Sequence, residues 1–316
     1  MVYPHIVRMK AGFSLLCLLC VLFSSCSKER PVVINIDRPT YESNQADLQK
    51  YPKTGEIKIL SFNVRYGTAN EANPSNKWPN RRSACLAMIR DHKPSCIGFQ
   101  EAIYDIQFEW FREQLKDEYD GYGVGRDNGK DKGECMGILY RKSDIRKIDG
   151  GTFWLSPTPD LCSKAVEWDA ACFRTATWGI FEVIATGKRF CYINTHLDHK
   201  GSKAREESMK LIAERFRQYN PDYKLPQFLS ADFNAQPSDK IFGYLPNMLN
   251  SRSSAPSGYT DDNTTYNAWG GTDNSHIDNI LFSSPATVKE YHTITEPYES
   301  VAYLSDHFPI YAIFSF

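Results

Sequence analysis

The sequence has no excess of charge of either sign: 37 Lys and Arg stand against 38 Asp and Glu, a formal net charge of −1. The broad basic footprint that holds a processive nucleic-acid binder on its polyanion is therefore missing, which argues against long DNA or RNA as the main substrate. Long apolar runs are missing too, since the longest, Ala11 to Phe23, is too short to span a bilayer comfortably. No internal repeat is evident, and the 17 prolines and 19 glycines are spread along the chain, so neither a solenoid nor a long linker is indicated. Of the cysteines beyond residue 26, none has the Cys-X-X-Cys spacing of a structural zinc site. What remains is an ordinary globular composition, 41% hydrophobic and 24% charged, in 316 residues that leave the domain count open.

The N-terminus is informative. Arg8 and Lys10 precede the apolar run, which ends in Leu22-Phe23-Ser24-Ser25-Cys26, small residues before a cysteine. This pattern resembles the cleavage site of a bacterial lipoprotein, with residues 1–25 as signal peptide, read from Met1 or from Met9, and Cys26 as the lipidated first residue. An uncleaved anchor, or a signal cut without lipidation, is the alternative. Removing residues 1–25 takes away Arg8 and Lys10 and no acid, so 35 basic residues face 38 acidic ones, a charge of −3. Export permits disulfides among Cys85, Cys96, Cys135, Cys162, Cys172 and Cys191, and only Cys162 with Cys172 invites pairing; buried free thiols are the plainer reading of the others.

Residues 26–54 read as lipidated Cys and tether, with a short strand at Val32 to Ile36, and the main folded body as 55–316. Alternation predicts a strand over Glu56 to Asn63, with Ile57, Ile59 and Ser61 on one face. Helical spacing marks Arg81 to Asp91 (Ala84, Ala87, Met88), Tyr104 to Leu115, and Ser202 to Tyr219, the last with Leu211, Ile212 and Phe216 inward. Further strands are expected over Cys96–Phe99, Glu134–Arg141, Phe173–Ala185, Arg189–Thr195, Pro226–Ser230, Ile277–Ser283, Val288–Thr295 and His307–Phe316. Helices and strands thus mix in an α/β layered body.

One event recurs: an apolar strand ends in hydrogen-bonding or acidic residues. Asn63 ends Leu60-Ser61-Phe62-Asn63, Glu101 ends Ile97-Gly98-Phe99-Gln100-Glu101, and His196 ends Tyr192-Ile193-Asn194-Thr195-His196. Asp232 and Asn234 end Phe228 to Asn234 in the same way. In layered α/β proteins such ends converge on one edge of the sheet, where sites form. Taken singly, each is more often a helix cap, a salt-bridge partner or a satisfied core histidine. Two later segments add weight: Ser275-His276-Ile277-Asp278-Asn279 and Ser305-Asp306-His307-Phe308-Pro309.

Together, Phe62-Asn63-Val64-Arg65, Gln100-Glu101, Asn194-Thr195-His196, Ala231-Asp232-Phe233-Asn234 and Ser305 to Pro309 resemble the endonuclease/exonuclease/phosphatase superfamily, in its order and over most of the mature body. The resemblance implies a DNase I-like four-layer α/β sandwich, two central mixed β-sheets flanked by helices, with the site at one end of the sheets. It also implies a bound Mg²⁺, with Mn²⁺ as substitute. That ion takes oxygen ligands and keeps several waters, so one or two carboxylates suffice. Glu101 is the expected metal ligand, with Asn63 beside it and Asp306 as a further ligand or water-mediated contact. His307 is expected in acid/base or phosphate-orienting work with Asp278 fixing its tautomer. Asp232 would orient or deprotonate the attacking water, and His196 and Asn234 would donate to phosphate oxygens. Asp232 and His307 both stay open as the base. Arg174 resembles a family position that points to substrate phosphate, against the plainer reading of a solvated strand arginine.

Tyr259 to Tyr266 and Gly270 to Asp273 lack the regular acidic spacing of a calcium loop and read as a substrate-side loop. His199 and His276 read as accessory, and Trp154, Trp168, Trp178 and Trp269 as packing residues. The functional expectation is a phosphodiesterase held to a membrane by the lipid on Cys26, exported to the periplasmic or cell-surface side, and monomeric. Its substrate would be a phosphate ester: a nucleic acid fragment, a phospholipid head group, or a phosphorylated sugar or inositol. The alternatives are an extracellular or periplasmic nuclease and a non-catalytic phosphate-ligand-binding lipoprotein. The last predicts loss of charged site residues, yet Glu101, Asp232, Asn234, Asp278, Asp306 and His307 are all present.

Overall fold

The computed structural model describes residues 51–316 except Thr272 and Asn274; the expected signal peptide, Cys26 and the strand at Val32 to Ile36 lie outside the described residues. In chain order the strands are β1 (Ile57–Asn63), β2 (Cys96–Gln100), β3 (Ala102–Ile103), β4 (Tyr119–Tyr122), β5 (Glu134–Cys135), β6 (Ile138–Arg141) and β7 (Ile145–Trp154). There follow β8 (Thr175–Val183), β9 (Arg189–His196), β10 (Gln227–Asp232), β11 (Met248–Asn250), β12 (Asp278–Ser283), β13 (Thr287–Thr293) and β14 (Ile310–Ser315). The α-helices are α1 (Trp78–His92), α2 (Glu109–Leu115), α3 (Ser202–Tyr219) and the one-turn α4 (Ser251–Ser254).

Two six-stranded mixed sheets result, ordered β13-β14-β1-β2-β6-β4 and β11-β12-β10-β9-β8-β7. Each has one parallel pair at its centre, β1 with β2 and β9 with β10, so the carboxyl ends of those strands share an edge. All seven residues of β1 are buried because the strand is covered on both faces. Ile57 and Ile59 join Phe181, Phe190, Phe228 and Phe314 between the sheets, while Leu60 and Phe62 pack with Ala84, Met88 and Phe111 under α1 and α2. On the far side α3 lays Met209, Ile212 and Phe216 on Ile193 and Leu229. These apolar layers make the four-layer sandwich. Leu211, expected inward, sits half-buried at the rim, and Met209 takes the core position.

The short strands β3, β4 and β11 were not expected, and three larger differences from the sequence expectation have a visible cause. The strand expected over Glu134 to Arg141 is two, because the chain breaks at Gly137: a Cβ there would lie 2.0 Å from Cε2 of Phe108. β5 leaves the main sheet there and pairs with β3. The helix expected from Tyr104 opens as a wide π-type turn, Tyr104–Phe108, before α2. Within that turn the buried Gln107 accepts from the amides of Gly67 (2.8 Å) and Ile103 (3.0 Å) and donates to Arg65 O (2.9 Å). β7 was not expected at all, since it is an edge strand in which Arg146, Ile148 and Asp149 are exposed and Gly150 and Gly151 carry no side chain, so no apolar alternation marks it.

A buried polar network joins the two sheets. Asn194 on β9 donates to Phe99 O (2.9 Å) and Met136 O (3.1 Å), and its Oδ1 accepts from Gln100 Nε2 (2.7 Å) and Ser230 Oγ (2.9 Å). Gly98 leaves the room for it: a Cβ there would stand 2.3 Å from Asn194 Oδ1. Asn194→Ala removes these bonds in a site with no water access; Gln100 Nε2 keeps Ser61 Oγ (3.1 Å) and Ser230 Oγ keeps Tyr192 Oη (2.6 Å), and the expected cost is about 2–4 kcal/mol. A urea midpoint lowered at unchanged slope would show it, and an unchanged midpoint would remove the network from the stability account.

Candidate active site

At the carboxyl edge of the parallel pairs the two sheets meet. Asn63, at the end of β1, donates through Nδ2 to Glu101 Oε1 (3.2 Å) and to Asp232 Oδ2 (3.0 Å), so one amide ties the first sheet to the second. The same local device ends β1 and β10. Asn63 Oδ1 accepts from Arg65 N (3.0 Å), and Asp232 Oδ1 accepts from Asn234 N (2.9 Å), each side chain turning the chain two residues on. These turns hold Arg65 and Asn234 in left-handed backbone, φ 58° and 49°, and Glu101 shares it at φ 58°. Such conformations cost about 1 kcal/mol or more in non-glycine residues and gather where a side chain must be aimed. The spacings Asn-Val-Arg and Asp-Phe-Asn thus have a geometric reason.

Strand register brings in the rest. Asp232 pairs with His196 on one side and Asp278 on the other. The last strand starts only at Ile310, after Pro309, which leaves Asp306 and His307 in the loop before β14 and at the same edge. A cleft of about 570 Å³ is lined by Arg65, Glu101, Asp232, Asn234, Asp306 and His307, and further by Arg126, Glu134, Arg174 and His196.

The electrostatics separate the two histidines. His307 is buried, with Nδ1 2.8 Å from Asp278 Oδ2 and Nε2 3.8 Å from Asp232 Oδ2. Burial works against its charged form, but Asp278, then Asp232 and Asp306, outweigh it and lift the pKa to about 10. At neutral pH the ring is a cation that donates to Asp278. His196 is the opposite case: burial first, then Arg174 and Arg126, push it well below its ordinary value, so it stays neutral. Its Nε2 lies 2.9 Å from Asn234 Nδ2 and 3.3 Å from Asp232 Oδ2. A neutral ring satisfies one of these at a time, accepting from the amide or donating to the carboxylate, so the short distance to Asp232 is not an ion pair.

The carboxylates differ as well. Burial, then the neighbouring Asp278, raises Asp232 to about 7. Burial also raises Asp306, whose Oδ2 lies 3.1 Å from Arg65 Nη1. Burial would raise Glu101 too, but His307, the Tyr66 amide at 2.8 Å and Asn63 outweigh it and hold the carboxylate below its usual value.

Ligand atoms of Glu101, His196 and Asp232 fall within 4.8 Å of one another, and those of Asp232, Asp278 and His307 do likewise. Two expected metal ligands are placed differently from the expectation. Asn63 turns its NH₂, not its oxygen, toward the carboxylates, and Asp306 is engaged by Arg65. Arg174 is not a solvated strand residue, being only 6% exposed in the cleft wall. The cysteine pair does not bridge: Cys162 Sγ faces Arg126 O and Cys172 Sγ faces Asp198 Oδ2. A third grouping, Cys172, Asp198 and His199, is a loop staple, because Asp198 accepts from the amides of Ala171, Lys200 and Gly201 at 2.8–2.9 Å.

Sequence reasoning missed Arg126 and Glu134 as site residues and gave Arg65 no role. Arg65 lay inside a quoted motif. Glu134 starts a strand rather than ending one, and Arg126 sits in a loop where nothing local distinguishes it.

The sequence profile of the Endonuclease/Exonuclease/phosphatase family matches residues 60–307, a span that holds every cleft residue named above. The chain belongs to this family. Membership places it among divalent-metal-dependent phosphoester hydrolases. No curated protein matches the sequence. A solved member of the endonuclease/exonuclease/phosphatase family from Bacteroides thetaiotaomicron is 32% identical, with a TM-score of 0.74, over 83% of this chain and 98% of that one. A mannosyl-6-phosphatase from Bacteroides thetaiotaomicron is 31% identical, TM-score 0.74, over 82% of this chain and 100% of that one. The human Nocturnin catalytic domain, solved with bound sulfate, shares the fold at 18% identity, TM-score 0.66, over 84% and 96% of the two chains.

Proposed function

We propose that this family member is a Mg²⁺-dependent hydrolase of small phosphate esters, held by lipid on Cys26 at the outer side of a bacterial membrane. One observation carries the reading: buried Asp232 and Asp306 share a cleft with Glu101, a neutral His196 and a cationic His307 whose ring is held by Asp278. The oxygen-rich donor set fits a hard cation, and the crowding that raises Asp232 and Asp306 is what such a cation relieves. Glu101 would hold it, with Asp232 and Asp306 near and Asn63 able to offer its oxygen by turning its amide. Mg²⁺, when bound, supplies Lewis-acid neutralisation of the phosphate under attack.

The chain's own residues do the rest. Asp232, unprotonated once a cation relieves its crowding, is placed to take a proton from water, and the cationic His307, already protonated at neutral pH, is not. This favours Asp232 as the base. His307, held by Asp278, keeps a positive charge beside the reacting group. Asn234 Nδ2 and a His196 N–H donate to non-bridging oxygens. The sequence favoured a diester; the likeness to a mannosyl-6-phosphatase supports a phosphorylated sugar, and the near-neutral charge balance supports a small substrate over a polymer.

The test is an assay of the mature chain with Mg²⁺ and with EDTA against mannose 6-phosphate, p-nitrophenyl phosphate, bis-p-nitrophenyl phosphate, plasmid DNA and sphingomyelin. Turnover of a small ester that EDTA abolishes and Mg²⁺ restores is expected. EDTA-resistant turnover would overturn the metal assignment, and silence on all five would leave the binding-lipoprotein alternative.

A further inference from the structure

The cleft's other wall is basic. Arg174 is 6% exposed, and its Nε and Nη1 have no hydrogen-bond partner in the protein; its Nη2 meets His199 Nδ1 at 3.2 Å. Arg126 gives Nη1 to Glu134 Oε2 at 2.7 Å, while its buried Nε has no hydrogen bond, the nearest acid being Asp127 Oδ1 at 3.7 Å. His196 Nδ1 is buried and unpartnered as well, 3.9 Å from Glu134 Oε2. Unpaired guanidinium nitrogens in a buried wall are costly. Of the acids around these two cations only Glu134 lines the cleft; Asp127 is half-exposed and Asp198 is taken up by backbone amides, so positive charge on the cleft side is left to be met. The arrangement is also braced from behind. Trp154 Nε1 donates to Arg126 O at 2.8 Å, and a Cβ on Gly129 of the same loop would stand 3.1 Å from Cη2 of the Trp154 ring.

Resting on the hydrolase reading above, we infer that Arg126 and Arg174 form a clamp for a terminal phosphate, which makes the substrate a phosphomonoester. The argument is one of donors and acceptors. A diester phosphate offers two non-bridging oxygens and one negative charge, which the metal side, His196 and Asn234 already serve. A monoester offers a third terminal oxygen and, near neutral pH, a second charge. In a diester that third oxygen carries carbon and no charge, so it is a poor acceptor for paired guanidinium donors. The basic wall therefore has work only when the phosphate ends the molecule.

The test compares two esters with one leaving group, p-nitrophenyl phosphate and its methyl diester, on the full mature chain with Mg²⁺. Arg126→Gln is expected to lower the ratio of monoester to diester kcat/KM by about ten- to a hundredfold, the scale of one charge-assisted hydrogen bond. Arg126→Lys keeps the charge opposite Glu134 and serves where the Gln variant folds poorly. A point charge does not replace the planar fork, so its ratio should still fall by about threefold or more. Calorimetry with inorganic phosphate needs no turnover, and there Arg126→Gln should weaken binding about tenfold or more. An unchanged ratio, or unchanged phosphate affinity in the folded variants, overturns the clamp. If neither ester is hydrolysed while phosphate binding still depends on Arg126, the hydrolase reading fails and the clamp stands.

Discussion

Asp232→Asn is expected to lower kcat by about 10² to 10⁴, the range for loss of a positioned general base, with a much smaller change in KM. The substitution keeps the shape and leaves one oxygen to accept from the Asn234 amide, so the turn that aims Asn234 survives. What goes is the Oδ2 acceptor that lies 3.0 Å from Asn63 Nδ2 and 3.3 Å from His196 Nε2. The pH profile of the native chain supplies the sign. A base works deprotonated, so the rate rises with pH through the Asp232 titration, which stands at about 7 without metal. A bound cation favours the carboxylate and moves that limb to lower pH. The rate then falls as His307 loses its proton near 10. Activity in the variant within tenfold of native, or a flat acidic limb, would remove Asp232 as the base.

Glu101→Ala should be at least as damaging, because it deletes the acid nearest the expected cation. Several kcal/mol of charge stabilisation are at stake, which is about 10² to 10⁴ in rate. The mechanism differs from that of Asp232, and so does the signature. Raising Mg²⁺ should recover part of the Glu101→Ala defect and none of the Asp232→Asn defect. Glu101 also accepts from Tyr66 N at 2.8 Å, so a melting curve must accompany the kinetics. An unchanged Mg²⁺ titration in a folded Glu101→Ala protein would contradict the assignment.

Much of this site was legible before any coordinates, because polar residues at the ends of apolar strands leave a mark on the sequence. Asn63, Glu101, His196 and Asp232 each stand where a buried strand stops, and parallel pairing at the centre of each sheet brings those ends together. Asp278 was readable from the apolar run that follows it. Asp306 and His307 stood out as a segment, but their roles came only through the family likeness, and the strand expected from His307 starts at Ile310, which leaves both in a loop. Arg126 could not be found at all: its place depends on Trp154 and on a fold-back that pairs Gly125 with Lys130, contacts with no local periodicity. Orientation was equally hidden. That Asn63 shows its NH₂ and not its oxygen to Glu101, and that Arg65 engages Asp306, are side-chain choices that residue type does not fix. In the fold, β7 was lost because an edge strand needs only one apolar face, and the break at Gly137 because it answers to Phe108, distant in sequence.

Anomalous scattering from crystals of the mature chain grown with Mn²⁺ tests the metal centre most directly. The account predicts a Mn²⁺ peak beside Glu101, within reach of Asp232 or Asp306, that disappears in Glu101→Ala. A peak at Cys172, Asp198 and His199 instead, or none near Glu101 at a Mn²⁺ concentration that supports turnover, would contradict it.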